Sequence, residues 1–131
     1  MRHNLLQDYL NAVELAVSSL ENVYVEHYVE EILTSKRANL RIRLRFTSGC
    51  LLELNEAVIV EADNLVSLDY RYHCQDAKNG LLFRYDNTPH FPALSSFPHH
   101  KHLPDDVIVS AKPTIFHVIK ESELLSRLDE T

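Results

Sequence analysis

The sequence predicts an α+β fold: an antiparallel sheet of about five strands, with an N-terminal helix packed on one face and a C-terminal helix at the other end of the chain. Three observations predict it. Apolar residues recur at helical spacing only near the two ends, the period between them drops to two, and the strand-like runs are joined by short polar turns. At 131 residues the chain fits one domain, 1–131, with no linker, repeat or low-complexity tract.

Asn4 followed by Gln7 reads as a capping box opening a helix over 4–20, on which Leu6, Leu10, Val13, Val17 and Leu20 form one stripe. Residues 23–33 are rich in Val, Tyr and Ile and read as a strand, followed by a polar turn at Lys36–Asn39. The clearest strand comes next: Leu40, Ile42, Leu44 and Phe46 alternate with Arg41, Arg43 and Arg45. Thr47-Ser48-Gly49 is a hairpin connection to a third strand over 50–60, whose polar members are Glu53, Asn55 and Glu56. A fourth strand over 65–75 sets Leu68, Tyr70 and Tyr72 on one side and Asp69, Arg71 and His73 on the other. After the Asp76–Gly80 turn, a fifth strand over 81–86 sets Leu81, Phe83 and Tyr85 against Leu82, Arg84 and Asp86. Connections this short make a meander the economical topology. Beyond Asp86 the prolines Pro89, Pro92, Pro98 and Pro104 punctuate a long loop packed through Phe91 and Phe97, with a short strand at 107–109. Pro113 and Thr114 then open a helix to about Leu128.

Composition narrows the function. Only two glycines occur, Gly49 and Gly80, which excludes a glycine-rich phosphate loop. The two cysteines, Cys50 and Cys74, lie far apart in sequence and are expected as free thiols in a reducing compartment. No apolar run approaches the roughly 20 residues that span a bilayer, and the Met1–His3 lead has no signal-peptide core, so the expected location is the cytoplasm, away from membranes. A net charge of −6 means that a polyanion is drawn in only by a local basic patch; a basic partner protein is the natural complement.

Two constellations carry chemistry. Asp69, Arg71 and His73 share a strand face, as do Arg84 and Asp86, and a hairpin can bring the two sets to one side. Whether Arg41, Arg43 and Arg45 join them depends on strand registers. An ordinary solvated face would also look like this, its ion pairs contributing from a few tenths to about 1 kcal/mol each. The second constellation is His99-His100-Lys101-His102, preceded by His90. Imidazoles move protons near neutral pH, and a lysine among them neutralises phosphate. These histidines with Asp105 or Asp106 would also make a metal-ligand set. Together the two suit cleavage of RNA without a metal or other cofactor, which needs a base for the 2′-hydroxyl, an acid for the leaving oxygen and cations at phosphorus. The expected acid–base pair is His73 with one of His99, His100 or His102. Arg71, Arg84 and Lys101 are expected on the phosphate, and Asp86 is expected to orient Arg84 or a histidine. Arg41, Arg43, Arg45 and His90 extend the candidate RNA contacts. Tyr70, Tyr72 and Tyr85 either stack bases or fill the core.

The runs Asp69-Tyr70-Arg71-Tyr72-His73, Phe83-Arg84-Tyr85-Asp86-Asn87-Thr88-Pro89-His90 and Phe97-Pro98-His99-His100-Lys101-His102-Leu103-Pro104 resemble the signature of the TumE-type toxin family. The resemblance covers the whole length in layout. It implies the toxin of a type II toxin–antitoxin pair, acting as an endoribonuclease, with RNA as substrate and an antitoxin encoded alongside as partner. Cys74 departs from the pattern where an aromatic is expected, and so does Phe91 where a polar residue is common. Neither change removes an acid or base. Two other classes remain open: a non-catalytic module whose charged face docks a protein, and a metal-dependent hydrolase using the histidine loop. The sequence leaves the oligomeric state open, a homodimer included.

Overall fold

Alternation along the strands builds one sheet with a packed side and a bare side. The computed structural model describes residues 4–128, so Met1–His3 lies outside it. Helix α1 (Leu5–Ser18) leads into strands β1 (Val23–Thr34), β2 (Arg37–Phe46), β3 (Leu51–Glu61), β4 (Asn64–Gln75) and β5 (Leu81–Asp86). Strands β6 (His100–Leu103) and β7 (Asp106–Val109) follow, then helix α2 (Ile115–Leu128). The seven strands form one antiparallel meander in the order β1 to β7.

Seven strands rather than about five is the main correction to the sequence reading. The histidine run is not loop: His100–Leu103 pairs with β5 on one side and β7 on the other. Its alternation is one of environment, not of hydrophobicity. His100 and His102 face one side and Lys101 the other, so a hydropathy pattern cannot reveal it. The short strand expected at 107–109 is β7. The true loop spans residues 87–99.

Both helices cover one face of the sheet. Leu6, Leu10, Val13 and Val17 of α1 are buried, as are Ile115, Val118 and Ile119 of α2, where Ser122 and Ser126 also pack inward. The helices touch each other and rest on β3 and β4. Beneath them lie Leu40, Ile42, Leu44 and Phe46 of β2, Leu52, Leu54 and Val58 of β3, Tyr70, Tyr72 and Cys74 of β4, and Phe83 and Tyr85 of β5. Each fully buried Leu or Phe side chain contributes about 1.5–3 kcal/mol. Half of the capping box forms: Asn4 Oδ1 accepts from the Gln7 N–H at 3.0 Å, while the Gln7 side chain turns to Asn11 at 2.8 Å. Gly49 sits at φ 96°, where an added Cβ would stand 2.6 Å from that of Ala77, so the β2–β3 turn requires glycine. Cys50 and Cys74 are free and buried, and burial pushes the Cys74 thiol up to about 12. Among the described residues no helix is long and apolar enough to cross a membrane.

Candidate active site

The registers settle which charged side chains share the bare face. One cross-strand row runs Arg43, Glu53, His73, Arg84, His102, and the next runs Arg41, Asn55, Arg71, Asp86, His100. Neighbours in a row are about 4.8 Å apart along the hydrogen-bonding direction. The β2 arginines therefore join the β4–β5 charged set and the β6 histidines on the side away from the helices.

Asp86 is the centre of this face. The residue is 5% exposed, and Oδ1 accepts the Thr88 N–H at 3.0 Å and lies 2.9 Å from His100 Nε2. Oδ2 lies 3.5 Å from His102 Nε2 and 3.3 Å from Arg84 Nε, the latter an ion pair without hydrogen-bond alignment. His100 is 1% exposed, and its Nδ1–H donates to the Pro98 carbonyl at 3.0 Å. The Nε2 atoms of His100 and His102 are 3.1 Å apart. Phe91 caps both imidazoles edge-on, its ring 4.9 and 5.8 Å from theirs, which explains an apolar residue at that position. Burial pulls the pKa of His102 below its ordinary value, with the Arg84 charge acting the same way against Asp86, so the ring is neutral near pH 7.

His73 stands across Arg84 from His102 in the same row. Its Nε2–H donates to Gln75 Oε1 at 2.9 Å, and its buried Nδ1 has no hydrogen-bond partner among the described residues. The arginines divide into two kinds. Glu26 holds Arg43 at 2.8 Å and Arg45 at 3.3 Å, and Arg45 also reaches the Gly49 carbonyl at 3.1 Å. Arg41 and Arg71 are exposed and make no hydrogen bond or ion pair with a described residue. With Asn55, Asp69 and Asn87 they line a groove of about 590 Å³ beside Asp86.

Several expected site residues lie elsewhere. Lys101 points to the helix side, where its Nζ is 2.8 Å from Glu121 Oε2 and sits 4.7 Å over the Tyr85 ring. Burial pulls its pKa down, but Glu121 and Tyr85 outweigh that and raise it. Tyr70, Tyr72 and Tyr85 belong to the core at 4%, 0% and 5% exposure, so they fill space rather than stack bases. His99 follows Tyr70 to the helix side: the phenol, kept protonated chiefly by burial, hydrogen-bonds His99 Nδ1 at 2.8 Å. His90 is exposed beyond Phe91, and Asp105 and Asp106 are exposed at the β6–β7 turn; the carboxylate that meets the histidines is Asp86.

One buried acid escapes the sequence reading, which groups Glu56 with the polar members of its strand. Glu56 is 4% exposed on the helix side, accepts hydrogen bonds from the Tyr9 and Tyr72 hydroxyls, and lies 3.7 Å from Lys112 Nζ. The signal is its parity, shared with Leu52, Leu54 and Val58.

A carboxylate, two imidazoles and a guanidinium thus gather on the bare face of the helix-backed antiparallel sheet of a small α+β protein. The chain belongs to the TumE toxin family: the family model described as Toxin TumE matches residues 12–126, which takes in all three sequence runs that resemble it. A search of curated proteins found no match, and a search of solved structures found none.

Proposed function

We propose that this member of a toxin family is the toxin of a type II pair and cleaves RNA in the cytoplasm by metal-independent acid–base catalysis on the bare sheet face. The observation that carries this reading is the Asp86–His100–His102 cluster beside Arg84, on the same face as the unpaired Arg41 and Arg71. His102, neutral and partly exposed, takes the proton of the 2′-hydroxyl. His73 in its protonated form gives a proton from Nε2 to the leaving 5′-oxygen and returns to the neutral ring. Arg84, between the two in its row, meets the charge developing at phosphorus, and Arg71 and Arg41 hold the neighbouring phosphates. Asp86 and His100 are positioning residues that fix His102 and Arg84. The partner is an antitoxin.

The test is cleavage of a labelled single-stranded RNA by the purified chain in EDTA. The wild type should leave 2′,3′-cyclic phosphate ends. His102→Ala and His73→Ala, with unchanged circular dichroism, should each slow cleavage by about 10²–10⁴-fold, the usual contribution of one acid or base. Full activity in both variants would overturn the assignment. No cleavage by the wild type would favour the reading that this face only docks a protein.

A further inference from the structure

Asp86, His100 and His102 turn a carboxylate and two imidazole nitrogens toward one another. The Pro98 carbonyl only accepts, so His100 Nδ1 carries a proton, and Nε2 is the nitrogen turned into the cluster. There it faces Asp86 Oδ1 at 2.9 Å and His102 Nε2 at 3.1 Å. Where His102 carries its ring proton on Nδ1, as His100 does, three lone-pair atoms converge, and a cation among them satisfies all three. A proton is one such cation; a metal ion is another.

The dimensions suit the metal. Tetrahedral zinc with bonds of about 2.0–2.1 Å to nitrogen and oxygen separates its ligand atoms by about 3.4 Å. Here His100 Nε2 is 2.9 Å from Asp86 Oδ1 and 3.1 Å from His102 Nε2, His102 Nε2 is 3.5 Å from Asp86 Oδ2, and one ligand atom from each residue lies within 4.8 Å of the other two. The supporting shell is also that of a metal site: a carbonyl fixes the His100 tautomer, and the Thr88 N–H holds the carboxylate. Two imidazoles and one carboxylate select zinc and its transition-metal neighbours over magnesium or calcium, which demand oxygen. Only His102 of the three is appreciably exposed, so a fourth ligand enters from its side.

We propose that Asp86, His100 and His102 bind one divalent ion of zinc's class, and that its binding blocks RNA cleavage. The blocking rests on the acid–base reading above, because the ion takes the same His102 lone pair that would accept the proton. The binding does not rest on it.

Metal-free full chain is titrated with cobalt(II), read by the visible absorption of tetrahedral cobalt, and with zinc by calorimetry. One equivalent should bind. His102→Gln, whose partly exposed ring makes it the variant least prone to unfold, should weaken binding by about 100-fold or more with unchanged circular dichroism. Asp86→Asn should do the same. No binding, or equal binding in folded His102→Gln, would overturn the site. In the RNA assay zinc should stop cleavage and EDTA should restore it. Undiminished cleavage by zinc-loaded chain would overturn the blocking. Cleavage that requires zinc would overturn the metal-independent mechanism while supporting the site. If RNA is cleaved under neither condition, the nuclease reading fails and the titration still decides the site.

Discussion

Replacing Arg41 and Arg71 together by alanine should change how RNA binding responds to salt, because these are the bare-face arginines with no carboxylate of their own. Each phosphate neutralised on a single strand steepens the fall of log affinity with log salt by about 0.7, so two arginines account for about 1.4 of the slope. Between roughly 50 and 200 mM salt, a fourfold change, the wild type should lose about sevenfold more affinity than the double variant. Fluorescence anisotropy with a labelled 2′-O-methyl RNA measures this without cleavage, since the attacking hydroxyl is absent. Both side chains are exposed, so stability should move by no more than about 0.5 kcal/mol. The control is Arg43→Ala with Arg45→Ala. Glu26 already holds both cations, at 2.8 and 3.3 Å, so their loss should flatten the slope by less than half as much. An unchanged slope in the Arg41/Arg71 variant, or an equal effect in the control, would refute the division of this face into free and neutralised arginines.

Lys101→Met should leave RNA cleavage per folded molecule unchanged while costing about 1–2 kcal/mol in urea denaturation, because it removes the partly buried Lys101–Glu121 pair on the opposite face. Glu56→Ala should cost about 3–5 kcal/mol by the same measurement, since it leaves the Tyr9 and Tyr72 hydroxyls and Lys112 without their shared acceptor; Glu56→Gln, whose amide oxygen still accepts, should cost less. His102 sets a pH dependence. Its folded pKa lies below the ordinary 6.5, so the unfolded chain takes up the proton first, and stability should fall as pH drops from about 6.5 through the lowered folded value. Urea midpoints between pH 7.5 and 5 should show this fall, and His102→Gln should flatten it. Iodoacetamide should leave Cys74 of the native chain unmodified at pH 8, its thiol being buried and pushed up to about 12, and should modify it in denaturant, as mass spectrometry will show.

Alternating apolar residues made β2 to β5 and the two helices legible, because their environment alternates as their hydrophobicity does. Strand β6 was not legible for the opposite reason. His100 is buried and His102 partly so, yet both are polar, and the four prolines around them read as loop. The charged faces of β4 and β5 could be paired from parity alone, whereas the row that sets Arg41 beside Asn55 and Arg71 came only with the strand registers. Lys101 lies off this face because adjacency in sequence is not adjacency in space. In a strand, neighbours point to opposite faces, so a lysine between two histidines is the residue least able to join them.

The two buried acids show why chemistry belongs to one face and not the other. Glu56 is met by the phenols of Tyr9 and Tyr72, whose pKa values burial raises far above neutrality, and by Lys112. Neither phenol gives up its proton near pH 7, and the network fastens α1 and the segment before α2 to β3 and β4. Asp86 is met instead by imidazoles, one of them held neutral and partly exposed, with a guanidinium alongside. Imidazole is the side chain whose proton moves at that pH. Both carboxylates are nearly inaccessible and both meet several polar partners, so burial alone does not separate a structural acid from a functional one. What separates them is the partners they keep: around Glu56, phenols that hold their protons and a lysine; around Asp86, imidazoles on the face the helices leave bare.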